Sequence, residues 1–166
     1  MRKWGALLLC AALLLLFLGG CAVQKGDYFA PFRGQFEATL RGEWQSVGFE
    51  ARFAADAPDE SGARVMTLTF YAPSSLSGTV LAQDKTGVLT LTQGEVSLPL
   101  ADTAAQGYGV LFSLFPLAGE VSEITKENGN IRLDGSGFSL LFAPDGTPLA
   151  AENATARVEI LAWERR

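Results

Sequence analysis

Hydrophobic and polar residues alternate with a period of two over much of this chain. Phe36, Ala38 and Leu40 alternate with Gln35, Glu37, Thr39 and Arg41, and Val47, Phe49, Ala51 and Phe53 alternate with Gly48, Glu50 and Arg52. Successive side chains of a strand point to opposite faces, so each run predicts a strand with one buried and one solvated face, the two joined near Gly42 to Ser46. Asp56 to Ala63, with Pro58, Asp59, Glu60 and Gly62, reads as a polar loop. Further runs follow at Val65 to Tyr71, Gly78 to Gln83, Gly87 to Thr92 and Glu95 to Leu100. Pro73-Ser74-Ser75, Asp84-Lys85-Thr86-Gly87 and Gln93-Gly94 break them and supply turns, which predicts an antiparallel meander.

The period changes once. Ala104, Tyr108, Leu111, Phe115 and Ala118 recur at helical spacing, which predicts a helix within 104–118 that Gly107 and Pro116 limit. The stretch that follows, with Glu120, Glu123, Lys126 and Glu127 before Asn128 to Asn130, reads as a solvated turn. Strands resume at Asn130 to Asp134, Gly137 to Ala143 and Ala154 to Trp163, with Pro144-Asp145-Gly146 as a turn. The expected fold is mainly β with one or two short helices, a curved antiparallel sheet or open half-barrel over residues 34–166. Residues 21–33 show no period and read as a tether joining the fold near Phe32. No repeat or second domain is visible.

The first twenty residues are of another kind. Arg2 and Lys3 precede an apolar run from Trp4 to Leu18, and Gly19 and Gly20 stand before Cys21. A bilayer-spanning helix needs about 20 apolar residues, so this shorter run reads as a cleaved export signal over residues 1–20. Leu18-Gly19-Gly20-Cys21 resembles the bacterial lipobox, in which the signal is removed and the cysteine receives lipid. The resemblance implies a protein anchored by acyl chains, of the palmitate type, on the extracytoplasmic face of the cell membrane. An ordinary secretory signal followed by a cysteine is the other reading. Cys10 lies in the discarded segment, so Cys21 would be the sole mature cysteine and no intrachain disulfide can form. Ala22 stands where an aspartate would resemble an inner-membrane retention signal, which leaves outer-membrane residence and a one-membrane host both open.

Charge and composition narrow the function classes. Loss of Arg2 and Lys3 with the signal moves the formal net charge from -5 to -7, too acidic for nucleic-acid binding. The sequence holds no histidine, which excludes Ser-His-Asp and Cys-His catalysis and the usual zinc sites. A non-enzymatic protein without metal or cofactor is expected. Lys85-Thr86-Gly87 matches a penicillin-binding element, but it comes without its companion motifs and fits a hairpin turn better. Asp56, Asp59 and Glu60 share a loop but not a calcium-loop spacing. Glu120, Glu123 and Glu127 read as solvent-facing rather than as an acid/base pair. Asn153-Ala154-Thr155 is a formal glycosylation sequon without expected meaning in a bacterial lipoprotein.

Two segments carry a further likeness. Met66-Thr67-Leu68-Thr69-Phe70-Tyr71-Ala72-Pro73 leads into Leu76-Ser77-Gly78, and Phe138-Ser139-Leu140-Leu141-Phe142 leads through Pro144-Asp145-Gly146 to Thr147-Pro148-Leu149. Set behind a lipobox, with a helix after the middle strands, the chain resembles the LolA/LolB-like and LppX-like lipoprotein superfamily. That resemblance implies an unclosed β-barrel with helical cover over its concave side, holding an apolar ligand or a lipidated partner. The chain is shorter than the larger members, and no long helix precedes its first strand. Tyr108, Leu111, Phe112 and Phe115 are the candidate ligand-facing stripe, opposed across the sheet by Phe49, Phe70, Leu91, Leu140 and Val158. The same residues are equally those that would fill a core. A structural or assembly lipoprotein that binds another envelope protein without a small ligand is the alternative function.

Overall fold

The computed structural model describes residues 27–166. Eleven strands form one antiparallel sheet: β1 (Phe36–Trp44), β2 (Val47–Ala55), β3 (Met66–Ala72), β4 (Val80–Gln83), β5 (Leu89–Gln93), β6 (Val96–Pro99), β7 (Val121–Glu127), β8 (Asn130–Gly135), β9 (Phe138–Phe142), β10 (Pro148–Glu152) and β11 (Ala156–Arg165). Their spatial order is β6-β5-β4-β3-β2-β1-β11-β10-β9-β8-β7. Two meanders therefore meet where β1 pairs with β11, and the sheet stays open between its edges β6 and β7. Helix α1 (Asp102–Phe112) lies in the chain between those two edges. This is an unclosed, mainly β half-barrel, as the sequence leads one to expect.

Tight turns and bulges shape the sheet. Gln45 and Ser46, both at positive φ, join β1 to β2, and Asn128-Gly129, also at positive φ, joins β7 to β8. Such turns match the right-handed twist of paired strands. The pairing skips Leu161 opposite Thr39/Leu40, Tyr71 opposite Glu50/Ala51, Leu149 opposite Leu141/Phe142 and Ser122 opposite Asp134/Gly135. Each bulge bends its strand and adds twist, which curls the sheet. Two of the large exposed apolar residues, Tyr71 and Leu161, are such bulge residues.

The concave face is the core. Phe36, Phe53, Leu68, Leu81, Leu133, Leu140 and Phe142 are fully buried there, under Leu111, Phe112, Leu114 and Phe115 from α1 and the segment after it. The tether segment of the sequence reading also contributes. Phe29 and Phe32 are buried around a 3-10 turn at Ala30–Arg33, with Phe32 packed against Phe36, Phe115, Phe142 and Trp163.

Three expectations need correction. The helix runs over Asp102–Phe112, so Gly107 lies inside it and does not limit it, and it ends four residues before Pro116. Pro116 lacks the N–H that would bond the Phe112 carbonyl and disfavours helical backbone at Phe115, so the apolar spacing outlasts the helix. Glu120 to Glu127 is not a turn, because Val121–Glu127 is edge strand β7, paired only with β8. The final strand forms as β11, but a strand the sequence reading lacked, β10, precedes it and pairs with it through the turn at Asn153 to Thr155.

Candidate functional site

The residues proposed to line a ligand all reach the concave face, and most are engaged with one another. Phe115 packs edge-on against Phe53 at 4.8 Å between ring centroids and against Phe36 at 5.6 Å. Phe112 meets Phe53 at 5.9 Å, Phe49 meets Phe70 at 5.7 Å, and Tyr108 lies 5.0 Å from Trp44 at the other end of β1. Leu111, Leu140 and Val158 are buried, while Tyr108 and Leu91 are only partly covered. Of the sequence-derived set, Leu91 leads to accessible surface.

Leu91 belongs to a line of directly opposed residues that crosses most of the sheet. The register joins Trp163 to Ala38, Ala38 to Phe53, Phe53 to Leu68, Leu68 to Leu81, Leu81 to Leu91 and Leu91 to Leu98. Opposed residues share a face, so the whole line lies on the concave side. Leu68 and Leu81 are 1% exposed, Leu91 is partly buried, and Leu98 on edge strand β6 is 57% exposed, with Val96 beside it at 60%. Alternation alone places Leu98 on the core face, but the sequence does not show that it is left uncovered there. Val96 and Leu98 were therefore missed as accessible residues.

Two polar side chains fix the cover, and neither was legible as a site. Arg64, 6% exposed in the loop before β3, donates to the carbonyl oxygens of Phe32 at 2.6 Å and Phe115 at 2.9 Å, and its guanidinium lies 5.5 Å from the Phe36 ring centre. Burial pushes its pKa down to about 10. That still leaves it charged at neutral pH. Asn153, in the β10–β11 turn, donates from Nδ2 to the Val110 carbonyl at 2.8 Å and to Ser113 Oγ at 3.2 Å. Its Oδ1 accepts the backbone N–H groups of Thr155 and Ala156.

Of the carboxylates considered for chemistry Asp59 holds a turn, as Asp84 does in the β4–β5 hairpin, while Glu123 and Glu127 lie exposed on edge strand β7. Asp59 Oδ1 accepts from Ser61 Oγ at 2.7 Å and from the N–H groups of Ser61 and Ala63, and Asp84 Oδ1 accepts from Thr86 Oγ1 at 2.7 Å and from the N–H groups of Thr86 and Val88. These hydrogen bonds, the hydroxyl's foremost, hold both carboxyls below their ordinary range. Lys85 lies 3.4 Å from Asp59, so the Lys-Thr-Gly sequence serves the β4–β5 hairpin and its neighbouring loop. Among the described residues no three Cys, Asp or Glu converge as a metal site requires, and no helix is long and apolar enough to cross a membrane. Cys21 lies outside the described residues.

No family model and no curated protein matches the chain. Two solved structures share its fold, and a third aligns more weakly. An uncharacterized conserved protein from Thermus thermophilus aligns with TM-score 0.51 and 15% identity over 84% of each chain. MucB aligns with TM-score 0.51 and 12% identity, over 87% of this chain and 60% of its own. A putative outer membrane lipoprotein-sorting protein domain from Vibrio parahaemolyticus aligns with TM-score 0.44 and 10% identity, over 86% of this chain and 93% of its own.

Proposed function

We propose that this chain is an envelope lipoprotein, acylated on Cys21 after loss of residues 1–20, that binds an apolar ligand or a lipidated partner on its half-barrel and performs no catalysis. The observation that carries the reading is the exposed continuation of the core line at Leu98, with Val96 beside it. Two aliphatic side chains more than half exposed on a concave face gain about 25 cal/mol for each Å² that an occupant covers. The remainder of that face is closed by α1, held by Asn153, and by the segment after it, held by Arg64, so occupancy begins at β6 and extends inward only if this cover yields.

Natively purified protein is expected to release an apolar molecule on solvent extraction, seen by mass spectrometry, and to bind an environment-sensitive apolar dye. Leu98→Asp is expected to weaken dye binding about tenfold, the equivalent of ~1.4 kcal/mol and near the value of covering the exposed half of one leucine. Its thermal midpoint should match the parent's. A protein that yields no extract and ignores the dye would remove the ligand from this reading.

A second reading keeps the same edge and changes the occupant. All four residues of β6 are exposed, and its outer edge offers unpaired backbone groups to an added strand from another envelope protein. MucB, which shares this fold, is known in complex with MucA(peri). A photocrosslinker at Ser97 would then trap one dominant protein, and extraction would give no small ligand.

A further inference from the structure

Arg64 stands apart from the other arginines. Every other described arginine except Arg165 lies within 3.8 Å of a carboxylate, and Arg165 is exposed to solvent. Arg64 is 6% exposed, and among the described residues no carboxylate pairs with it. Burial lowers its pKa, with no carboxylate to offset the effect. A charge taken out of water is costly unless an opposite charge meets it. Tying down carbonyl groups does not require that charge, since Asn153 holds the Val110 carbonyl with a neutral amide.

The Arg64 side chain borders a cleft of 270 Å³ between the loop before β3, the β4–β5 hairpin and the segment after α1. Met66, Gln83, Asp84, Lys85 and Leu117 also stand on its wall. Asp84 is committed to its own hairpin through Thr86 and Val88, and Lys85 leans toward Asp59 at 3.4 Å. Two N–H groups of the guanidinium serve the Phe32 and Phe115 carbonyls, which leaves the rest of its fork without an acceptor among the described residues.

The register puts this cleft on the concave side. Met66 opposes Gln83 and Gln83 opposes Leu89, each two residues along its strand from the core line of Leu68, Leu81 and Leu91. Gln83 therefore sets an amide in an otherwise aliphatic row, next to the buried charge. From β3 to the exposed Leu98 on β6 is three strand spacings, roughly 14 Å.

We infer that this cleft is an anion site, in which Arg64 takes the carboxylate of an amphiphilic acid whose chain runs along the concave face toward Leu98. The inference rests on the apolar ligand proposed above and gives that ligand an acid end. A planar carboxylate matches the fork of a guanidinium, and the Gln83 amide has an N–H to add. The chain enters as the cover formed by Phe112 and Phe115 yields.

The natively purified protein in a nonionic detergent, titrated with laurate or dodecanol isotope-labelled at the head carbon and read by NMR, tests this. Bound laurate is expected to take up its proton about two pH units below laurate in the same detergent alone, the effect of an adjacent arginine on a carboxylate. It should bind about tenfold more tightly than dodecanol. Gln83→Leu, whose side chain suits the row between Met66 and Leu89, should narrow that preference to about threefold without weakening dodecanol. Arg64→Gln should abolish the preference, and the measurements on the parent and on Gln83→Leu stand even where that variant does not fold. An unshifted carboxyl titration overturns the contact with Arg64, whatever the affinity. Equal binding of the two probes overturns the anion site and leaves the apolar ligand in place. A preference undiminished in Gln83→Leu overturns the part given to that amide. Protein that binds neither probe overturns the apolar ligand and the anion site together.

Discussion

The guanidinium of Arg64 donates to the carbonyl oxygen of Phe115 at 2.9 Å, which ties the loop before β3 to the segment that follows α1. The same group bonds the Phe32 carbonyl, so one side chain holds three stretches of chain that are distant in sequence. Arg64→Met keeps much of the apolar contact with Phe36 and leaves two buried carbonyls unpaired. It is expected to destabilise the domain by about 3 kcal/mol, read as a lowered urea midpoint. Arg64→Lys should recover only part of the loss, because an ammonium lacks the planar fork that serves two acceptors.

Asn153 makes a comparable prediction for the helix. Asn153→Ala removes the hydrogen bonds to Val110 and Ser113 along with the acceptor that shapes the turn, at an expected cost of about 2 kcal/mol. Asn153→Asp keeps that acceptor but sets a carboxylate against the Val110 carbonyl. Both variants should speed hydrogen exchange in α1 more than in β1 or β2, and equal acceleration everywhere would show that the side chain supports the whole domain instead.

A close backbone approach sets the third expectation. A Cβ at Gly42 would lie 2.2 Å from the Arg157 carbonyl oxygen and 2.7 Å from Val158 Cγ1, whereas one at Gly48 on the paired strand meets only the Gly42 oxygen at 3.9 Å. Gly42→Ala must push β1 from β11 and should cost about 3 kcal/mol, the upper end for overpacking. Gly48→Ala should change stability by less than about 1 kcal/mol. Thermal melts of the two variants check the contrast.

The alternating strands were readable because a one-faced sheet imposes its period directly, and β1 to β6 follow the alternation from Phe36 to Leu98 with turns at Asp84 to Gly87 and Gln93-Gly94. β7 was not readable in that way. As an edge strand it buries little, so its Glu and Lys residues hide the alternation, and the one usable signal was the Asn128-Gly129 turn behind it. β10 starts on Pro148 and bulges at Leu149, which breaks its pattern after a few residues. Phe29 and Phe32 were hidden because a single 3-10 turn is too short to show a period. Arg64 leaves no local trace, since its partners are backbone carbonyls of distant segments, and Asn153 could be read locally only as a turn residue, because the groups it bonds on Val110 and Ser113 are about forty residues away.

Acid should loosen the loops before it reaches the core. Folding holds the Asp84 carboxyl below its ordinary value near 3.8, through the Thr86 hydroxyl first and turn N–H groups after it. The unfolded chain therefore binds more protons below about that pH, so this contribution to stability is present above it and is lost as pH falls through the lower folded value. Asp59 and Asp145 shift in the same direction and add to the trend. Asp84→Asn keeps a turn acceptor without a titrating group. Its urea midpoint should fall less steeply than the parent's between about pH 4 and pH 2, and parallel curves would remove Asp84 from the account.

The pairing of β1 with β11 has a consequence for the order of events during synthesis. The first strand made waits for the last before the middle of the sheet can close, across a separation that includes every other element. Until β11 arrives, β1 to β6 and β7 to β10 are two incomplete ribbons, each with an inner margin open to wrong pairing. A chain made from its N-terminus onward is thereby kept from finishing its fold early, and a truncation within 156–165 should strand it as two unjoined halves.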